Sequence, residues 1–266
     1  MIHQAPTPRT IGAVNWLGLW TLYRKEVRRF LKVIFQTVGA PVVTTLLFFA
    51  VFALALGGIV RTTGTVPYLE FLAPGLVMMA MAQNAFANTS SSVIIAKVQG
   101  NIVDVLMPPL SALELAVGYV AGGITRGLLV GFVTLLAMAP FAGLTIYNPV
   151  FVLYHAVMAC ALLSMLGVMG GIWAEKFDHI AAVTNFIVTP LTFLSGTFYT
   201  VDRLPETFWW LAHFNPFFYM IDGFRYGFIG HSDGTLAVGL LVLAGVNLAL
   251  GAATYRMFAS GYKLKA

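Results

Sequence analysis

Long apolar runs alternate with short polar breaks along this chain. Six runs approach or exceed the ~20 helical residues needed to cross about 30 Å of hydrocarbon. They fall at about 38–60, 70–95, 115–141, 150–173, 180–200 and 236–257. Gly57 and Gly58, then Arg61, Thr62, Thr63 and Gly64, close the first run. Tyr147, Asn148 and Pro149 turn the third run into the fourth, 174–179 (AEKFDH) is a tight charged loop, and His231, Ser232, Asp233 and Gly234 turn into the sixth. Ahead of the first run, about 15–36, the pattern changes. Trp16, Leu19, Trp20, Tyr23, Val27, Phe30, Leu31 and Ile34 recur at three- and four-residue steps, with Arg24, Lys25, Arg28, Arg29 and Lys32 on the other face. That period predicts an amphipathic helix lying in a membrane interface. A freely solvated helix would leave both tryptophans in water. The pattern as a whole predicts an all-α membrane protein, one transmembrane domain over 1–266.

The stretch 190–228 starts as part of a span and does not continue as one. Pro190 removes a helix hydrogen-bond donor inside an apolar run, and Ser195 and Gly196 loosen the backbone a turn later. Asp202, Arg203 and Glu206 are too polar for a lipid-facing helix. Aromatics then return at Phe208, Trp209, Trp210, Phe214, Phe217, Phe218 and Tyr219, divided where Pro216 forces Asn215 away from the helical region. Two short aromatic segments remain, read as re-entrant external helices between spans five and six; an ordinary loop with an aromatic belt is the other reading. Phe198, Tyr199, Phe214 and Phe218 border the proline-broken span and are candidates for an apolar outer gate, or else for headgroup anchors.

Composition narrows the class. The chain is 59% hydrophobic and 9% charged, against about 25% charged in soluble domains. The opening MIHQAPTPRT lacks the apolar core of a signal peptide, so the N-terminus is expected to be retained. The net charge of +5 is too small and too segregated to suggest nucleic acid. Arg9, Arg24, Lys25, Arg28, Arg29, Lys32, Lys97, Lys176, Arg256, Lys263 and Lys265 fall on one side of a six-span topology, against Arg61, Arg203 and Arg225 on the other. The bias predicts both termini in the cytoplasm and 201–235 outside. The single cysteine, Cys160, has no disulfide partner within the chain.

A few polar residues interrupt the spans. Asn84, Asn88 and Ser91 share one stripe of the second. Such groups avoid lipid, so the stripe is either a wall of a transport path or a seam of interhelical hydrogen bonds. Arg126 lies roughly 18 Å along its helix from Glu114. It is a functional residue or a snorkelling one, paired with a carboxylate or with headgroups. Gly118, Gly122, Gly127 and Gly131 allow close helix approach. His155 reads as a hydrogen-bonded wall residue. Between spans two and three, Gly100 and the pair Pro108 and Pro109 delimit a short helix at 101–107, with Ile102, Val105 and Leu106 as an apolar face and Asp104 as a charge. Ser111 and Glu114 then form a capping box. Phosphate-loop, zinc-helix and nucleophile-elbow motifs are missing from the sequence. An isolated Asp178 and His179 do not make a metal site. No catalytic or metal-binding residue is therefore assigned. A membrane-embedded enzyme lacks convergent groups, and a secondary transporter or channel, the alternative kept, would need intramembrane carboxylates that the spans do not offer.

Pro190, Phe193, Ser195, Gly196, then Leu204 and Pro205, then Asn215, Pro216, Tyr219, Ile221, Asp222 and Arg225 form an ordered pattern that resembles the signature of the type-2 ABC exporter permeases. The resemblance extends over nearly the whole chain. It implies a permease subunit of an ATP-driven exporter in a bacterial inner membrane, working as a homodimer. Two copies of a separate ATPase would bind ATP and magnesium, this chain binding no cofactor itself. It also implies that 96–114 carries a coupling helix for the ATPase; Ile102, Asp104, Val105 and Leu106 are read as its contact residues and Glu26 with Arg29 as a second contact, the other reading being a connector lying on the headgroups. The substrate implied is drug-like, amphipathic, lipid-linked or a glycan, alongside contacts with membrane lipids.

Overall fold

A computed structural model describes residues 12–56, 62–63, 66–201 and 204–264. Expectations resting on Arg9, Gly57, Gly58, Arg61, Gly64, Asp202, Arg203 and Lys265 lie outside those residues, as does the opening decapeptide. The elements are helical apart from a two-stranded hairpin, β1 (Thr62–Thr63) antiparallel to β2 (Val66–Pro67). In chain order the helices are α1 (Trp16–Leu31), α2 (Ala40–Leu56), α3 (Tyr68–Val98), α4 (Val103–Leu106), α5 (Ala112–Ala142), α6 (Pro149–Trp173), α7 (Phe177–Val183), α8 (Thr189–Leu194), α9 (Glu206–Phe214), α10 (Pro216–Ile229) and α11 (Leu236–Ser260). Six helical stretches are long and apolar enough to cross a membrane: Phe35–Ala55, α3, α5, α6, Phe177–Leu194 and α11.

The most interior of these is α3. Its most apolar window is 83% buried, against 11% for Phe177–Leu194 and for α11. It packs against α2, α5, α6 and α10, and its aliphatic and methionine side chains from Leu72 to Ala85 form the middle of the main core. Close approach explains how so many helices reach it. A methyl added at Gly123 would collide with Ser164 Oγ of α6, and one at Gly127 would fall 2.6 Å from Cys160 Sγ. Gly118 and Gly122 serve a different neighbour, the N-terminal helix α1, through Leu22 and the Cβ of Glu26. The glycines of α5 thus divide between two faces.

Two spans contain a wide turn. Phe35–Gly39 and Thr184–Val188 are π-helical, and each runs directly into a helix whose second residue is proline, Pro41 or Pro190. A proline in a continuing α-helix clashes with the carbonyl four residues back and offers no N–H to it. A π turn moves that carbonyl aside, so the chain stays helical through Pro190. The break comes later, at Ser195 and Gly196, whose φ is +75°. The fifth span therefore ends at Leu194, short of the expected 200. The two short helices expected beyond it are present, divided at Asn215 and Pro216. They differ sharply: α10 is enclosed by α3, α6 and α11, whereas α9 buries only Ala212.

Candidate functional site

A polar seam runs where α1, α3 and α5 meet. Leu22, Glu26 and Phe30 form the buried face of α1, a narrower stripe than the sequence period suggested, with Trp16 and Trp20 turned outward. The start of α1 is pinned by Glu114. Its carboxylate accepts the Asn15 N–H while also closing the capping box on Ser111 N at 2.6 Å. From there α1 follows α5, Leu22 over Gly118 and Glu26 over Gly122, and Tyr23 Oη lies 3.0 Å from Thr125 Oγ1.

Glu26 corrects an expectation. Its side chain has no exposed surface, so it does not present itself to another subunit. One carboxylate oxygen accepts Ser92 Oγ–H at 2.7 Å, and the other accepts Arg29 Nη2–H at 3.3 Å. Arg29 also donates to Asn88 O at 2.6 Å, to Asn88 Oδ1 at 3.0 Å and to Ser91 Oγ at 3.2 Å. One turn along α3, Arg126 Nη2 donates to Asn84 Oδ1 at 2.9 Å. The stripe of Asn84, Asn88 and Ser91 is real, and what lines it is two guanidinium groups. Arg126 has an amide for a partner, where a carboxylate or a headgroup was expected. A carboxylate inside the bundle was missed because it arrives on α1, outside the spans. The available signal was its spacing from Leu22 and Phe30, four residues either way.

The signature residues form a second polar centre. Asn215 caps α10 by accepting Phe217 N–H at 3.0 Å, and its amide donates to Leu191 O and Ser195 Oγ, both at 2.9 Å. Asp222 accepts the backbone N–H groups of Asp233 at 2.7 Å and Gly234 at 3.1 Å, fixing the turn before α11. Arg225 is 2% exposed. It donates through Nε to Phe71 O at 3.2 Å and through Nη2 to Gly196 O at 2.7 Å, with its guanidinium 3.7 Å over the Phe71 ring. A side chain at Gly75 would displace it. Pro190 and Pro205 bound the segment that these bonds hold. His155 donates through Nδ1 to Phe151 O, 2.8 Å away, and packs against Gly223.

The aromatic gate candidates do not form one group in the protomer. Phe198 stacks between Phe52 and Phe193, with centroids at 4.5 and 5.2 Å, and Tyr199 Oη reaches the carbonyls that end α8. Phe218 is sealed among His213, Tyr219 and Gly234, while Phe214 is 82% exposed. A common face for all four is thus not found.

Between α3 and α5 the expected short helix is the single turn α4, bounded by Gly100 at φ +74° and by Pro108 and Pro109. Its orientation reverses the expectation. Ile102 and Val105 are buried against Leu22, Val93, Leu115 and Tyr119, with Leu106 packed beside them. The outward residues are Val103, Asp104 and Met107. Beside them, α1 and residues 104–110 enclose a mostly apolar cleft of about 490 Å³, floored by Leu22 and Val105 and edged by Trp16 and Lys25. The neighbouring 174–179 loop is tied down by Lys97 Nζ, which donates to Ile172 O and Ala174 O at 2.5 and 2.6 Å. Lys263 bonds Glu175 at 2.7 Å, and that ammonium holds the Glu175 carboxyl below its ordinary value.

Sequence comparison adds an independent line. The profile of the family described as ABC-2 type transporter matches residues 18–229. The inner membrane transport permease YadH of Escherichia coli K12 is 39% identical over 230 residues, covering 86% of this chain and 90% of that protein. Nodulation protein J of Rhizobium leguminosarum bv. trifolii is 26% identical over 225 residues, 83% of each chain. The matched region takes in α1 from Gly18 onward, the polar seam, the 96–114 stretch and the whole signature.

Proposed function

Since this chain belongs to the ABC-2 type transporter family and is a membrane permease subunit of an ABC transporter, we propose that it works as an exporter in a bacterial inner membrane. Its cargo is amphipathic, drug-like or lipid-linked. Two copies pair with two copies of a separate ATPase, and ATP and magnesium are bound there. Both termini are cytoplasmic, α1 lies at the cytoplasmic interface, and α9 and α10 form the re-entrant external segment. The enclosed, amide-lined α3 supports a role in the path, because α2, α5, α6 and α10 pack around it.

One observation carries the coupling assignment: the cleft between α1 and residues 104–110 lies beside the one outward turn of α4. Val103, Asp104 and Met107 are the contact residues in this reading, and Ile102, Val105 and Leu106 support them from beneath. A push on α4 passes directly into α3 and α5, which it joins. Arg29 transmits through Asn88 to the stripe, with Glu26 as its anchor.

The test is a paired substitution in the complex of this chain with its ATPase, reconstituted in vesicles. Met107→Asp with Asp104→Lys is expected to leave the permease folded while substrate-stimulated ATP hydrolysis and transport fall together. Normal stimulation and normal transport in that variant would rule the contact out.

A further inference from the structure

Two guanidinium groups share one stripe of α3. Arg126 is held on Asn84 and Arg29 on Asn88, and four residues advance about 6 Å along a helix. Among the described residues only one carboxylate touches either of them, Glu26 on Arg29. Among the described residues Arg126 has no acidic partner, and Lys25, 4.0 Å from Glu26, adds to the positive side. The two guanidinium groups alone are one negative charge short, in a setting where charge is poorly screened.

The hydrogen bonds show the same deficit. Arg29 Nε, Arg126 Nε, Asn88 Nδ2 and Tyr119 Oη are all buried without a partner. Each can donate, and a buried donor left without an acceptor is costly. Surplus donors and surplus positive charge therefore coincide at one place. An oxyanion supplies both missing elements, and a guanidinium matches the spacing of phosphate oxygens. The seam is open to such a group, since the Arg29 side chain keeps 28% of its surface. Asn88 and Asn84 lie roughly 15 and 21 Å from the end of α3, deeper than a headgroup in an undisturbed leaflet.

We propose that Arg29 and Arg126 form a binding site for the phosphate of an amphipathic molecule, drawn in along α1 to the stripe of Asn84 and Asn88. That such a ligand is cargo rests on the permease reading; the binding itself does not need the ATPase.

The experiment titrates the full-length chain in detergent with dioctanoyl phosphatidylglycerol, dioctanoylglycerol or inorganic phosphate, following its melting temperature. Phosphatidylglycerol is expected to raise it saturably and dioctanoylglycerol to leave it unchanged. If inorganic phosphate does equally well, the phosphate chemistry stands and the source is the free ion. Arg126→Gln keeps a donor for Asn84 and is expected to weaken the phosphate effect about tenfold or more. Arg126→Lys should retain most of it. Asn84→Asp is the independent arm: a built-in carboxylate should raise the melting temperature without ligand and abolish the response to phosphate. Unchanged affinity in Arg126→Gln, an equal response to the neutral diacylglycerol, or destabilisation by Asn84→Asp would each overturn the site. ATPase co-purification and stimulated hydrolysis, measured on the same variants, report on the permease reading separately.

Discussion

Arg225 shows how one side chain can hold three parts of a membrane protein together. It reaches the first turn of α3 at Phe71, the turn after α8 at Gly196, and belongs itself to α10. Arg225→Lys keeps the charge but loses the planar fork and the stacking on Phe71. A loss of about 2–3 kcal/mol is expected, read as a lower melting temperature in detergent. Asp222→Asn keeps one acceptor for the Asp233 and Gly234 N–H groups and should cost less, about 1 kcal/mol. Both positions were legible as members of an ordered motif, and Asn215 as the break between two short helices. What no local pattern carries is the partner, because Phe71 O is 154 positions from Arg225. The same holds for Glu26. Its place on a basic helix argued for a surface role, and its burial depends on Ser92, 66 positions away.

Among the elements, α4 is the one whose existence was predicted and whose facing was not. Four residues leave a period undefined, so Ile102, Val105 and Leu106 could be grouped as a surface or as a foot. The packing of Val105 against Leu22 and Tyr119 decides it. Val105→Asp should therefore unfold the corner where α1, α4 and α5 meet, since an unpaired buried charge costs several kcal/mol. Val103→Asp, at an outward position, should leave the stability within about 0.5 kcal/mol of the parent. The contrast between them separates support from contact. The seat of α1 can be tested in the same way. Gly122→Leu would meet Glu26 Cβ, which lies 2.6 Å from a single added carbon. It is expected to detach α1, read as new protease cleavage between residues 32 and 40 with α3 and α5 still protected. Pro190 was legible as an interruption of an apolar run. The continuity of the helix through it was not, because the π turn that absorbs it has no sequence signature of its own.

For the molecule as a whole, the six spans followed from hydropathy, and the way they wrap α3 followed only from the structure. Orientation is open to direct measurement. With both termini inside, a cysteine at Thr207 on the exposed α9 should react with an impermeant thiol reagent on intact cells, and one at Tyr262 should not. Cys160 is fully enclosed beside Gly127 and should stay silent in both cases, so the native background needs no alteration. The reverse labelling pattern would invert the topology. The seam also imposes an order in time. Residues of α1 leave the ribosome first, yet their partners Ser92 and Thr125 follow 66 and 102 positions later. At about 5–20 residues per second, that is a wait on the order of 3–20 s. Throughout it Glu26 has only Lys25 and Arg29 of its own helix as charged partners, and the helix can rest only on the lipid surface, through Trp16 and Trp20. The N-terminal helix is thus made as a peripheral segment and becomes an integral one only when the third span arrives. A chain stalled before residue 125 should be open to protease cleavage between residues 32 and 40, which the finished protein resists.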